Sequence, residues 1–408
     1  YNTPEFLTPI IELDIATVSE AERNAYDWFR RNYQNQWRQF FDPIAISLSI
    51  ADDKLEGDMT VRPLIGRSDY REFMEVVGNT RLAPDAGDPH SGVLGQFIMS
   101  LDSESEPVQQ VGNFLMSMTP NIKNNALNWI GDWFTVFVEA DLFWEELAAA
   151  AEKGEDAMEE FMEHNFTRLP VGVAVDVRNP FTLTTFLAAV RGFIEQTAPG
   201  MLMWTALTHD DLPYVRISPS LQALGTMPEE MADIAIYYAA MPDMFLITLN
   251  EDVVKSALER KAAKKKPGAG KDKAGIKVEW LGESLAWRSD ATAFKMIEAL
   301  AGKSMNLELQ RRAWGNLIIL NKWKRALGVA DPVAFHAKHW DTRLVCPGGG
   351  EYVWNEAAQT MESTVFGHPA TPKAPEQAQT PLGQIKAAGF GLTFEGDGLR
   401  ARTRISRE

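Results

Sequence analysis

The sequence predicts an α+β fold of largely antiparallel sheets with helices packed on one face. Three observations lead there. Stretches near both ends alternate apolar and polar residues with a period of two and turn back as hairpins; other stretches repeat apolar residues every three or four positions; and the middle of the chain alternates the two kinds. With 45% hydrophobic and 24% charged residues, the 408-residue chain has a globular composition and can bury a sizeable core.

The elements follow in chain order. Ser19 and Glu22 have the spacing of a capping box and open a helix in which Tyr26, Phe29, Tyr33, Trp37 and Phe40 form an aromatic stripe. Asp42-Pro43 stops it. Ile44, Ile46, Leu48 and Ile50 then alternate with Ala45, Ser47 and Ser49, Asp52 and Asp53 turn the chain, and Met59 and Val61 return on one face. Residues 133–138 and 171–177 read as strands, each followed by a helix. The second helix has Asn179 as N-cap, Pro180 at its first position, and an apolar stripe of Leu183, Phe186, Leu187, Val190, Phe193 and Ile194. Asp210-Asp211-Leu212-Pro213 reads as a hairpin turn rather than a catalytic carboxylate pair. Residues 131–141 and 242–252 look alike, each a strand, an acidic turn and a helix start, which suggests an internal duplication.

This patterning divides the chain. Residues 1–262 form repeated strand–helix units in two related halves, and 263–275, with lysines among Gly, Ala and Pro, form a basic flexible linker. Residues 276–408 form a C-terminal α+β region with an extended stretch at 280–287, a helix at 307–327, and a Pro- and Gln-rich loop at 370–381. It closes in a hairpin, where Leu399, Ala401, Thr403 and Ile405 alternate with Arg400, Arg402 and Arg404. Those arginines share one face, either the wet side of a sheet or an anion-binding strip.

A formal charge of −16 argues against nucleic acid and anionic membranes as partners, because both demand clustered cations. The single Cys346 excludes an intrachain disulfide framework. No run approaches the roughly 18 apolar residues of a membrane span. Tyr1 in place of Met suggests a trimmed leader or membrane anchor outside the chain. Gly-x-Ser-x-Gly, phosphate-loop, dinucleotide-fold and His-Glu-x-x-His motifs are all missing, and no cofactor is expected. One metal site is conceivable: His336 and His339 stand three apart on a helix, and Cys346 and His368 could complete four ligands. Phe114-Leu115-Met116-Ser117-Met118 could line a cavity for a lipid or other apolar ligand.

Two resemblances add to this. Cys346-Pro347-Gly348-Gly349-Gly350-Glu351-Tyr352, followed by Gly367-His368, resembles the C-terminal signature of type II secretion pseudopilins. In those relatives a second cysteine precedes the glycine–histidine pair, and Ser363 stands near that place here. Phe41-Asp42-Pro43-Ile44-Ala45, Trp129-Ile130-Gly131-Asp132-Trp133 and Ile236-Tyr237-Tyr238-Ala239 resemble exported proteins of planctomycete-type bacteria near domain-of-unknown-function family 3352. That likeness implies an extracytoplasmic protein, periplasmic or envelope-associated, and brings no catalytic residues. The expectation is a non-catalytic envelope protein with structural or protein-interaction roles, its alternatives being an apolar-ligand carrier and a metal-dependent enzyme.

Overall fold

Hairpins from the two ends of the chain meet side by side in one sheet. The computed structural model describes residues 17–37, 44–62, 70–77, 80–118, 127–225, 233–265, 278–373, 381–395 and 398–407. The first hairpin is β1 (Ile44–Ile50) with β2 (Lys54–Val61), and the last is β15 (Ile385–Glu395) with β16 (Gly398–Arg407). Between them come β3 (Val93–Ser100), β4 (Ile130–Glu139), β5 (Val171–Val177), β6 (Leu202–His209), β7 (Leu212–Pro219), β8 (Ile236–Ala240), β9 (Met244–Thr248) and β10 (Leu285–Asp290). Among the described residues these twelve form one sheet in the order β1-β2-β16-β15-β10-β3-β4-β5-β9-β8-β7-β6, and each neighbouring pair is antiparallel.

The helices are α1 (Glu20–Trp37), α2 (Tyr70–Val77), α3 (Glu106–Met118), α4 (Leu142–Lys153), α5 (Glu155–Asn165), α6 (Pro180–Thr197), α7 (Leu221–Leu224), α8 (Glu251–Lys265), α9 (Ala291–Leu327) and α10 (Pro332–Trp340). The α+β class and the antiparallel sheet agree with the sequence expectation, but the helices do not keep to one face. Val253, Val254, Ala257 and Leu258 of α8 pack on Ala174, Leu246, Ala239 and Tyr237. The next residues along the strands, Val175 and Phe245, point the other way and meet Leu183, Phe186 and Leu187 of α6. A strand sends alternate side chains to opposite faces, so β5 and β9, apolar at consecutive positions, are covered on both.

The two similar segments build similar units. Asp141 caps α4, accepting from the Phe143 amide at 2.7 Å, and Asn250 caps α8, accepting from the Asp252 amide at 2.9 Å. The likeness extends further than the sequence suggests. Helix, hairpin, short helix, two strands, polar turn and helix run from α1 through β1, β2, α2, β3 and β4 to α4, with α3 inserted between β3 and β4. The same series runs from α6 through β6, β7, α7, β8 and β9 to α8. In the sheet order the two hairpins lie at opposite edges.

Strands from both sides of the lysine-rich segment are neighbours, since β10 pairs with β3 and β16 with β2. Residues 263–265 close α8, and 266–275 lie outside the described residues. The strand expected at 280–287 begins at Leu285, and the helix expected from 307 begins at Ala291, where Asp290 accepts from the Thr292 and Ala293 amides. α9 runs 37 residues to Gly328, whose φ of 63° ends it in a left-handed cap. Its C-terminal half carries α10 and a small sheet of β11 (Tyr352–Asn355), β12 (Thr360–Ser363), β13 (Gly367–His368) and β14 (Thr371–Pro372).

Candidate functional site

The Cys-Pro-Gly-Gly-Gly stretch forms a turn against α9. The Gly349 amide donates to the Cys346 carbonyl at 3.0 Å, and Gly349 has a φ of 77°, which an L side chain rarely adopts. A Cβ on Gly348 would come within 2.5 Å of the Phe366 ring. Cys346 and Phe366 are buried with Ala313 of α9. The Cys346 sulfur lies 3.2 Å from the Ser363 hydroxyl, whose oxygen accepts from the Val365 and Phe366 amides.

The four candidate metal ligands do not converge. His336 stacks on Trp340 at 5.2 Å and receives the Trp323 indole hydrogen at 3.3 Å; His339 packs on Phe335 at 4.4 Å. Cys346 is spent on Ser363, and His368 is buried on β13 with Glu362 4.0 Å away. Among the described residues no group of three His, Cys, Asp or Glu side chains could hold a metal. The i, i+3 spacing places both histidines on α10, where His336 stacks with Trp340 beside Trp323 and the exposed His339 packs on Phe335. A cleft of about 580 Å³ lies between α10 and the glycine turn, lined by Asp331, Arg343, Cys346 and Glu351 among others. Asp331 is occupied there as the α10 cap, accepting from the Ala334 amide. The side chains of residues 114–118, proposed as a cavity lining, lie outside the described residues.

The arginine face of β16 is matched by carboxylates on β2. Arg400 donates to Asp58 from Nε and Nη2, Arg404 to Glu56 at 2.9 Å and to Glu279 at 2.9 Å, while Arg402 lies 3.7 Å from Asp58. Arg400 holds the Asp58 carboxyl below the usual range. These pairs are half-exposed, and they make the face a cross-strand ladder rather than an open anion strip.

Sequence reading missed a polar group under the central strands. Gln96, 1% exposed, donates to the Gly87 carbonyl and the Thr135 hydroxyl, and its oxygen receives Arg288 Nε and Nη2. Nearby, Arg260 of α8 bridges Asp88 and Glu139, and His90 sits between the Asp88 carbonyl and Glu139. The available signal was Gln96 at an inward position between Leu94 and Ile98.

The most unusual surface is β1. Ile44, Ile46, Leu48 and Ile50 are 59%, 74%, 60% and 67% exposed, and among the described residues the strand pairs only with β2. Natural sheets guard such edges with charge, proline or bulges, and β1 has none of these. No helix of the described residues is long and apolar enough to cross a membrane. Set against family models, curated proteins and solved structures, the chain matches none.

Proposed function

We propose that this chain is a non-catalytic interaction protein of the cell envelope that assembles with a second copy of itself by strand addition at β1. The observation behind this reading is the bare, uncharged edge of a twelve-stranded sheet. In a chain of net charge −16, seven consecutive residues without a charge form a place where two copies meet without repulsion.

The strand is self-complementary. Antiparallel pairing about Ser47 sets Ile46 opposite Leu48 and Ile44 opposite Ile50, so one apolar face continues across the junction. The hydrogen-bond phase agrees. The Ala51 amide donates to the Lys54 carbonyl, and alternation from there turns the Ser49, Ser47 and Ala45 amides toward β2 and those of Ile50, Leu48, Ile46 and Ile44 outward. Residues with outward amides then face one another in both copies. Assignment to the envelope rests on the resemblances in the sequence.

The test is oxidative cross-linking. Ser47→Cys lies on the two-fold axis and is expected to form a covalent dimer. Ser49→Cys, separated from its copy by four residues or about 14 Å along the strand, is expected to stay monomeric on a denaturing gel. Equal cross-linking of the two, or none, would reject this register. Fractionation that places the whole pool in the cytoplasm would remove the envelope assignment.

A further inference from the structure

We propose that the cavity beside β10 binds a small oxyanion, the carboxylate or phosphate group of a ligand, through the Arg288 guanidinium. The cavity holds about 330 Å³ and is lined by His90, Ser91, Arg288, Asp290, Arg404 and Ser406 among others. That volume admits such a group with a small body attached.

The placement of Arg288 is fixed on two sides. Gln96 Oε1 accepts from Nε at 3.2 Å and from Nη2 at 3.0 Å, and Gln96 is itself pinned by Gly87 and Thr135. The guanidinium carbon lies 5.5 Å from the centre of the Trp280 ring. A neutral amide oxygen and an indole face thus orient the fork without forming an ion pair with it. Among the described residues no carboxylate lies within ion-pair distance of Arg288. Arg288 is half-buried, and the Nη1 side of its fork is where an anion would be received bidentately.

The other charged groups in the wall are committed. Asp290 accepts the first amides of α9, Glu279 accepts from Arg404, and both His90 nitrogens face acceptors, the Asp88 carbonyl and Glu139. Asp290 keeps its negative charge and acts on Arg288 through space, but its oxygen is turned to the α9 amides, and Arg288 is the cation of the wall that makes no ion pair among the described residues. Within an acidic chain this makes the cavity selective for an anion by short-range hydrogen bonds rather than by long-range attraction.

The test is isothermal titration of the full chain with inorganic phosphate and, separately, with N-acetylglycine, at ionic strength held constant with sodium chloride. Saturable one-to-one binding of at least one probe is expected. Arg288→Lys, which keeps the charge but loses the fork, should weaken it about tenfold. Ser91→Asp, at an exposed position on the cavity mouth, should weaken it similarly without disturbing the packing of Arg288. Arg402→Gln, in the neighbouring cavity, should leave it unchanged. Binding of phosphate alone assigns the site to a phosphate group, and binding of N-acetylglycine, alone or with phosphate, assigns it to a carboxylate. No saturable heat with either probe, or binding indifferent to both Arg288→Lys and Ser91→Asp in folded protein, would overturn the site.

Discussion

The two edges of the sheet are built from the same series of elements and finish differently. At the β6 edge, α8 covers one face through Leu207 and Leu212, and Arg191 of α6 lies over the Trp204 ring on the other. At the β1 edge every residue is exposed, and Tyr26, Trp28 and Phe29 of α1 are exposed as well. Repetition of a topology therefore does not fix its burial. One copy covers its apolar strand within the chain, while the other leaves it exposed.

Substitutions can break this contrast, and the largest effect belongs to the covered half. Leu246→Ala, at a fully buried position of β9 beneath α8, should cost about 2–5 kcal/mol in chemical denaturation. Ile46→Ala, at the bare edge, should cost the isolated chain no more than about 0.5 kcal/mol. Comparable losses would mean that β1 is covered in solution by its own chain.

A second test concerns the small sheet. Ser363→Cys should form a disulfide with Cys346, closing a loop of 17 residues and stabilising the region by about 3 kcal/mol, with free-thiol titration falling to zero. Two titratable thiols after oxidation would show that the 3.2 Å contact does not persist.

Helix caps sharpen the comparison further. Asn179→Ala removes the oxygen that accepts from the Phe181 and Thr182 amides and should cost about 1 kcal/mol, because α6 is docked on the sheet. Ser19→Ala breaks a capping box as complete, with Ser19 and Glu22 exchanging hydrogen bonds, yet should leave the midpoint of global unfolding unmoved, since α1 buries no described residue.

One effect depends on pH. Glu251 accepts the Tyr214 hydroxyl at 2.6 Å, and that hydrogen bond holds its carboxyl below the ordinary 4.5. A lowered carboxyl contributes stability that is complete above its unfolded pKa and is lost as pH falls through the folded value. Tyr214 is pushed up to about 12, chiefly by burial, and remains a donor across this range. Tyr214→Phe should therefore cost up to about 1 kcal/mol near neutrality and progressively less below pH 4.5. A cost that stays constant in acid would show that packing, not the hydrogen bond, accounts for it.

Much of this fold was legible because local signals and tertiary demands agree. The capping box at Ser19, the Asn179-Pro180 helix start and both terminal hairpins depend on a few adjacent residues. Asp210 and Asp211, at φ of 50° and 60°, make the turn between β6 and β7 that their residue type favours. What was not legible is long-range. Nothing near Ala286 announces that β10 inserts between β3 and β15, nor that Arg288 will find Gln96, 192 positions away. The placement of helices on both faces was hinted at only by consecutive apolar residues in β5 and β9. The histidine spacing on α10 suggested a metal site because sequence counts ligands but does not show that these histidines pack against the rings of Trp323, Phe335 and Trp340.

The open edge is tested most directly by sedimentation equilibrium of the wild-type chain beside Ile46→Lys. A wild-type dimer that becomes a monomer in the variant, with the circular dichroism of the two unchanged, is the expected result. A wild-type chain that stays monomeric at every concentration, or a variant that associates as well as the wild type, would contradict strand addition at β1.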